Sequence, residues 1–334
     1  MDAEQIAARL LSISTKKDIA DLIKAKLNGK KEFTVIQPFE PNGRINIAQV
    51  QQYVMVSKLV AQLGGKYIVF IADVVSSMNH SFGRDKAKIE AASKYAIKAL
   101  KASGVDGPHV QYIISDNFTI ENFNLFTKFV EITTHLPASA VQNVLPPMGK
   151  KERETLTASQ LIAPMLHLTE LVEAGADFIV GSEERYNLLS LFTTINKENP
   201  PVIIPIRQIM KLKGVKSNPP KPDPKNTVFF EDDDQVLGNK FNAAFCTDAI
   251  TDNPVFEYIN NIVIPRDGKF EFNGKTYEFG TEDFANDFPT LEKKTLKQAL
   301  AATFVGYATP IRAALAEEDT KQFAEIAKEF TTAH

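Results

Sequence analysis

The sequence predicts a doubly wound α/β protein on a parallel sheet, with a smaller, mostly helical C-terminal domain. Three observations predict it. Short apolar, β-branched runs alternate with longer stretches of helical periodicity through the first two thirds of the chain. Tyr67-Ile68-Val69-Phe70-Ile71 and Val202-Ile203-Ile204 are nearly continuous in apolar character, as strands buried on both faces must be. Beyond a Lys- and Pro-rich stretch at 211–226 the rhythm changes to helices and one hairpin.

The elements follow in order. Residues 1–30 are a helical preamble, with Ile6, Leu10, Leu11 and then Ile19, Leu22, Ile23 at helical spacing. Phe33-Thr34-Val35-Ile36 is a strand. Pro41-Asn42-Gly43 is turn chemistry, and a helix runs from about Ile45 to Leu63, stopped by Gly64-Gly65. This strand, tight turn and helix N-terminus form the place where a parallel sheet offers backbone N–H groups and a helix dipole to an anion. A helix over Gly83–Ser103 and a strand over Val110–Ile114 continue the alternation. Residues 117–147 break it, and Phe123, Phe126 and Phe129-Val130 form an apolar stripe there. A helix from Thr157 to Gly175, a strand at Ala176–Val180, a helix over Glu183–Ile195 and the strand at Val202 complete the sheet domain, 31–226. Four prolines at 219, 220, 222 and 224 forbid helix and sheet in the loop that closes it. The C-terminal domain, 227–334, carries a hairpin at 269–279, where Asn273-Gly274 gives a type I′ turn, and a helical tail from Leu291.

Composition bounds the function. The 334 residues carry a net charge of −3, so no global positive field recruits nucleic acid and any RNA surface is a local patch. No apolar run reaches the ~20 residues of a membrane span. The N-terminal Met1-Asp2-Ala3-Glu4-Gln5 has no basic, apolar leader pattern, and a single cysteine, Cys246, read as a core residue, fits a reducing compartment; both point to the cytoplasm.

Glu40-Pro41-Asn42-Gly43-Arg44-Ile45-Asn46-Ile47-Ala48-Gln49 resembles the first signature of archaeal- and eukaryotic-type tyrosyl-tRNA synthetases, Glu-Pro-Ser-Gly-Arg, an apolar residue, then His-Ile-Ala-Gln or His-Ile-Gly-His. Further stretches follow that family in order: Ile71-Ala72-Asp73 with Met78-Asn79, Met148-Gly149-Lys150, Leu156-Thr157-Ala158, Asp223-Pro224 with Phe229-Phe230-Glu231-Asp232, Asn253-Pro254-Val255, and Pro310-Ile311-Arg312. The resemblance implies a Rossmann-like catalytic domain of class I synthetase type, a helical dimer insertion at about 117–147 and an anticodon-binding-like C-terminal domain. It also implies ATP with magnesium if the chain is active, tRNA as a partner, and pairing as a homodimer or with a related synthetase.

The positions that carry chemistry in that family are altered here. Gly43, Asn46, Gln49 and Lys221 occupy its two ATP-handling signatures, Asn46 standing where the family has a histidine and Lys221 surviving alone in the second. Asn donates a neutral hydrogen bond but cannot become cationic, and losing one preorganised donor to a developing oxyanion costs ~10²–10³ in rate. The amino-acid contacts map onto Ile36, Ala163, His167, Glu170 and Arg185. Ala163, His167 and Glu170 share one helical face, where the family has Tyr, Gln and Asp, and Ile36 replaces a hydroxyl-reading Tyr. Sites that read a hydroxyl owe ~10⁴–10⁵ of discrimination to such groups. A His and a carboxylate at i, i+3 also suit an acid/base pair or two metal ligands, but no third ligand accompanies them and a His bonded to its helical neighbour is the commoner arrangement; no metal is expected.

The resulting expectation is a synthetase-like protein that has lost aminoacylation and persists as a binding or partner protein. An active but divergent tyrosine–tRNA ligase and a binder of another small molecule in the altered pocket are the alternatives.

Overall fold

The computed structural model describes residues 3–145, 156–195, 199–209, 211–214 and 226–329. Lys221, the second signature around it, Met148-Gly149-Lys150 and Asp223-Pro224 lie outside those residues.

Five strands form one parallel sheet: β1 (Thr34–Phe39), β2 (Lys66–Ile71), β3 (Val110–Ile114), β4 (Phe178–Ser182) and β5 (Val202–Ile206), in the spatial order β3-β2-β1-β4-β5. This is the parallel α/β architecture that the strand and helix alternation predicts. The order reverses between β1 and β4, so their connections leave in opposite directions and a crevice opens at their C-terminal ends. Val35, Ile36, Tyr67, Phe70, Phe178 and Ile204 have essentially no exposure, which is why these strands read as unbroken apolar runs.

Helices α1 (Ala3–Ile13) and α2 (Ala20–Leu27) precede the sheet, and α3 (Ile47–Leu63) follows β1. Asn46 caps α3 and Gly64, at φ 74°, ends it in a left-handed C-cap. Then come α4 (Asp73–Met78) and α5 (Lys86–Ala102). The helix expected from Gly83 starts three residues later, because Phe82, Gly83 and Arg84 all have positive φ and Asp85 caps the new start by accepting the Lys88 N–H. The insertion supplies α6 (Ser115–Glu121), α7 (Leu125–His135) and α8 (Ala138–Val144), and α9 (Ala158–Glu173) leads into β4. The single helix expected over Glu183–Ile195 is instead a 3₁₀ turn, Glu183–Arg185, followed by two short helices. That turn sends Arg185 back toward the end of β1 while Leu188, Leu189 and Phe192 face the core.

Two apolar clusters fill the interior. One joins α1, α3, α5 and one face of the sheet to the C-terminal elements, including Phe241, Phe256, Phe284, Phe288 and Phe304. The other covers the opposite face and joins Ile36, Ile68 and Phe70 to the insertion and α9. The hairpin, β6 (Lys269–Phe272) and β7 (Lys275–Glu278), turns through Asn273 and Gly274, both with positive φ. Cys246 sits half-buried at the margin of the first cluster rather than inside it, its thiol pushed up by burial. No single helix among the described residues is long and apolar enough to cross a membrane.

Candidate functional site

The turn after β1 is held from both sides. Gly43 lies at φ 132°, a region that side chains avoid. Asn46 Oδ1 accepts the Gln49 N–H at 2.7 Å, so the residue at the signature histidine position caps its own helix. The Ile47 N–H donates to the Val228 carbonyl at 2.9 Å, and Asn46 bridges Phe229. Arg44 lies flat on Phe229, 3.7 Å from the ring centre, with Nη2 3.3 Å from Glu231 Oε2 and 3.9 Å from Asp232 Oδ1. Glu231 also accepts the Tyr95 hydroxyl at 2.5 Å, and burial pushes that phenol well up.

A phosphate binds at a helix N-terminus through unclaimed N–H groups and a nearby cation. Here the N–H groups of Ile47 and Gln49 are claimed inside the chain, and Arg44 is committed to two carboxylates. Two of the first-turn N–H groups and the nearest cation are therefore already engaged within the chain.

Across the crevice, Glu40 at the end of β1 accepts Asn79 Nδ2 at 2.9 Å and Arg185 Nη2 at 3.2 Å. Arg185 thus ties the segment after β4 to the end of β1, across the point where strand order reverses. Nearby, Asp73 Oδ1 accepts the backbone N–H groups of Val74 and Asp116, and burial raises its carboxyl above the usual range.

The positions that the resemblance assigns to an amino acid lie deeper. Ile36 and Ala163 are fully buried in the second apolar cluster. Glu170 has no exposure either and accepts a hydrogen bond from the Ser115 hydroxyl at the start of α6. Its other oxygen stands 3.9 Å from His167 Nδ1, too far for a hydrogen bond, and has no partner. Neither nitrogen of His167 has one, and the ring packs against Phe70. The expected bond between His167 and its helical neighbour is therefore not formed; the neighbour is held by Ser115 instead. Among the described residues no group of three or more His, Cys, Asp or Glu is placed to hold a metal.

The structure thus brings Ile36, Ala163, His167 and Glu170 together in the interior, and places Gly43, Asn46 and Gln49 at the turn. Arg185 joins Glu40 rather than the interior group. Sequence reading missed Ser115 and Phe118, which sit one turn apart on α6; the strand–helix junction after β3 was the available signal.

On the outer side of α9, Ile162 and Leu166 wall an apolar cavity of about 350 Å³ with Ile120, Phe126 and Phe129 of the insertion. Phe123 at its rim is 94% exposed and Phe126 75%.

No family model matches the chain. Among curated proteins, a 290-residue stretch is 27% identical to Arabidopsis thaliana "Tyrosine--tRNA ligase 2, cytoplasmic" and, separately, to "Tyrosine--tRNA ligase 1, cytoplasmic". It covers 82% of this chain in both cases, but 38% of the first relative and 75% of the second. The chain is similar to tyrosyl-tRNA synthetases over most of its length. The synthetase-like fold extends further than the sequence match. The Aeropyrum pernix tyrosyl-tRNA synthetase superposes with a TM-score of 0.85 at 21% identity, over 98% of this chain and all of that one. The Leishmania major enzyme in complex with tyrosinol gives 0.85 at 24% identity, over 98% of this chain and 61% of that one. At such identities the structural likeness establishes the architecture, and the site must be argued from its own residues.

Proposed function

We propose that this synthetase-like protein has lost aminoacylation and serves as a cytoplasmic binding or partner protein. One observation carries the reading: the interior positions that would meet tyrosine are closed into the protein's own packing. Ile36 and Ala163 are core residues, and Glu170 is bonded to Ser115. The turn at Asn46 supports it, since its side-chain oxygen and the Ile47 and Gln49 N–H groups are used within the chain. Lys221 and Gln49 are the remaining signature groups, and no step through ATP and magnesium is assigned to them.

The apolar cavity beside Phe123 and Phe126 supports a partner role. Exposed aromatics around a groove are what an interface core requires. The occupant we favour is a second copy of this chain, with a related synthetase as the heteromeric form. tRNA is a further candidate partner through the C-terminal domain.

A second reading, an active divergent tyrosine–tRNA ligase, is favoured by the retained carboxylate of Glu170 and by the intact Glu40–Arg185 pair. Pyrophosphate exchange across all amino acids, beside an active synthetase, separates the two. The scaffold reading expects background rates with every one; exchange above background with tyrosine reverses the ranking. Thermal-shift screening with amino acids and nucleotides addresses a binder of another small molecule.

A further inference from the structure

Four consecutive acids, Glu231-Asp232-Asp233-Asp234, gather groups from several elements. Glu231 receives Arg44 of the turn after β1 and the Tyr95 hydroxyl of α5. Asp233 accepts the Val236 N–H and caps the helix Asp234–Asn242. Asp234 pairs with Arg312 of the long helix Lys293–Leu315. Asp232 joins these contacts to one another. Its Oδ2 accepts the Phe229 N–H at 2.9 Å and Lys240 Nζ at 2.6 Å, and its carbonyl accepts Arg312 Nη1 at 2.7 Å. Lys240 also donates to the Thr227 carbonyl at 2.9 Å. The segment 227–232 is thereby folded back on itself.

Folded that way, it presents the Val228 carbonyl to the Ile47 N–H, and Phe229 to Asn46 and Arg44. A continuous path of polar contacts therefore runs from the C-terminal helix to the first turn of α3. Such contacts weaken steeply once distance or angle departs from the optimum. The two ends of the path differ. At the outer end the Asp234 side chain is 66% exposed and Arg312 25%, so that pair is weak by itself and yields first. At the inner end Glu231 is 10% exposed, and Arg44 Nε is buried without a partner. Arg44 is thus held in place at a polar cost that simple packing would not require.

We propose that segment 227–234 is a conformational relay, through which the contacts of Arg312 on the C-terminal helix set the order of the turn at Asn46 and the start of α3. Displacing Arg312 frees the Asp232 carbonyl and loosens the Phe229–Asp232 turn. The Val228 carbonyl then leaves the Ile47 N–H, and Phe229 leaves Arg44. A partner that moves the C-terminal helix is thereby felt at the crevice without touching it. The relay is independent of whether aminoacylation survives, so pyrophosphate exchange decides that reading and leaves this one to its own test.

The test is amide hydrogen exchange on the full chain, which reads local opening segment by segment. Arg312→Met keeps the apolar stem and removes the donors. It is expected to speed exchange over residues 45–50 about tenfold, while the hairpin at 269–278 changes less than about twofold. An unchanged turn overturns the proposal. Equal acceleration of turn and hairpin also overturns it, since that is a general loss of stability. Asp232→Ala breaks the path in the middle, so adding Arg312→Met to it should accelerate the turn less than about twofold further; additive effects show two independent contacts and overturn the relay. Should either variant not fold, Asp234→Asn becomes the readout, because it weakens only the solvent-facing pair. It should speed exchange at the turn about twofold, and no change there overturns the proposal.

Discussion

Replacing Asn46 tests whether the first signature has passed from chemistry to structure. Asn46 Oδ1 accepts the Gln49 N–H at 2.7 Å and caps a 17-residue helix that is buried along most of its length. Asn46→Ala removes that acceptor and leaves an N–H of the first turn without its partner, which costs about 1 kcal/mol, within a range of about 0.5–2. The bridge to Phe229 and the Ile47–Val228 hydrogen bond are backbone contacts and survive the change. Asn46→Asp keeps the acceptor and adds negative charge at the positive end of the helix dipole, so it should be neutral or stabilising by about 0.3–1 kcal/mol. Asn46→His restores the histidine of the resembling family but lacks a short side-chain oxygen acceptor, and should lose about as much as Ala. Urea unfolding followed by circular dichroism measures all three, with midpoints compared at constant slope. In a thermal scan the loss is small, about 1–2 °C, because the unfolding entropy of a chain this long is large. Pyrophosphate exchange on Asn46→His should stay at background. The reasoning is refuted if Ala leaves the midpoint unchanged, if Asp destabilises as much as Ala, or if His restores exchange.

Further expectations follow from the neighbouring groups. Arg44→Ala removes a guanidinium stacked on Phe229 and leaves the largely buried Glu231 without its cation, while Asp232 keeps Lys240; a loss of about 2–3 kcal/mol is expected in urea unfolding. Asp73→Asn keeps an oxygen for the Val74 and Asp116 N–H groups but removes a charge that burial opposes. Because the folded carboxyl titrates above its unfolded value, the stability it contributes is present at low pH and fades as pH rises through the folded pKa. The variant should therefore gain on wild type from pH 4 to pH 7, and a gain that shrinks with pH would contradict the assigned cause. Phe123→Asp/Phe126→Asp places charge on two exposed rings beside the cavity; sedimentation should shift from dimer to monomer with the melting temperature nearly unchanged. A wild type that sediments as a monomer at all concentrations would remove the self-pairing proposal.

Much of the sheet was legible because its signal is local. Phe33–Ile36, Tyr67–Ile71 and Val202–Ile204 carry β-branched and aromatic runs that only a two-sided burial explains, and Asn273-Gly274 satisfies a turn that needs positive φ at both residues. Positions 82–84 were not legible, since left-handed backbone at Phe82 and Arg84 is imposed by the way α4 and α5 are joined and not by either residue's preference. Arg185 was placed among substrate contacts by resemblance to a family segment, and its pairing with Glu40 through the 3₁₀ turn was not legible in the sequence.

The chain by itself determined the alternation of strand and helix, the turn chemistry after β1 and the asparagine where the resembling family has a histidine, since each is written in contiguous residues. Tertiary structure alone decided what those residues do. Asn46 acts as a cap beside Phe229, Arg44 is claimed by Glu231 and Asp232, and Glu170 meets Ser115 rather than its helical neighbour. Glu231 lies 187 positions from Arg44, and Ser115 lies 55 from Glu170. A hydrogen bond depends on distance and angle in space, and no pattern in a one-dimensional string fixes either until the sheet and its helices have packed.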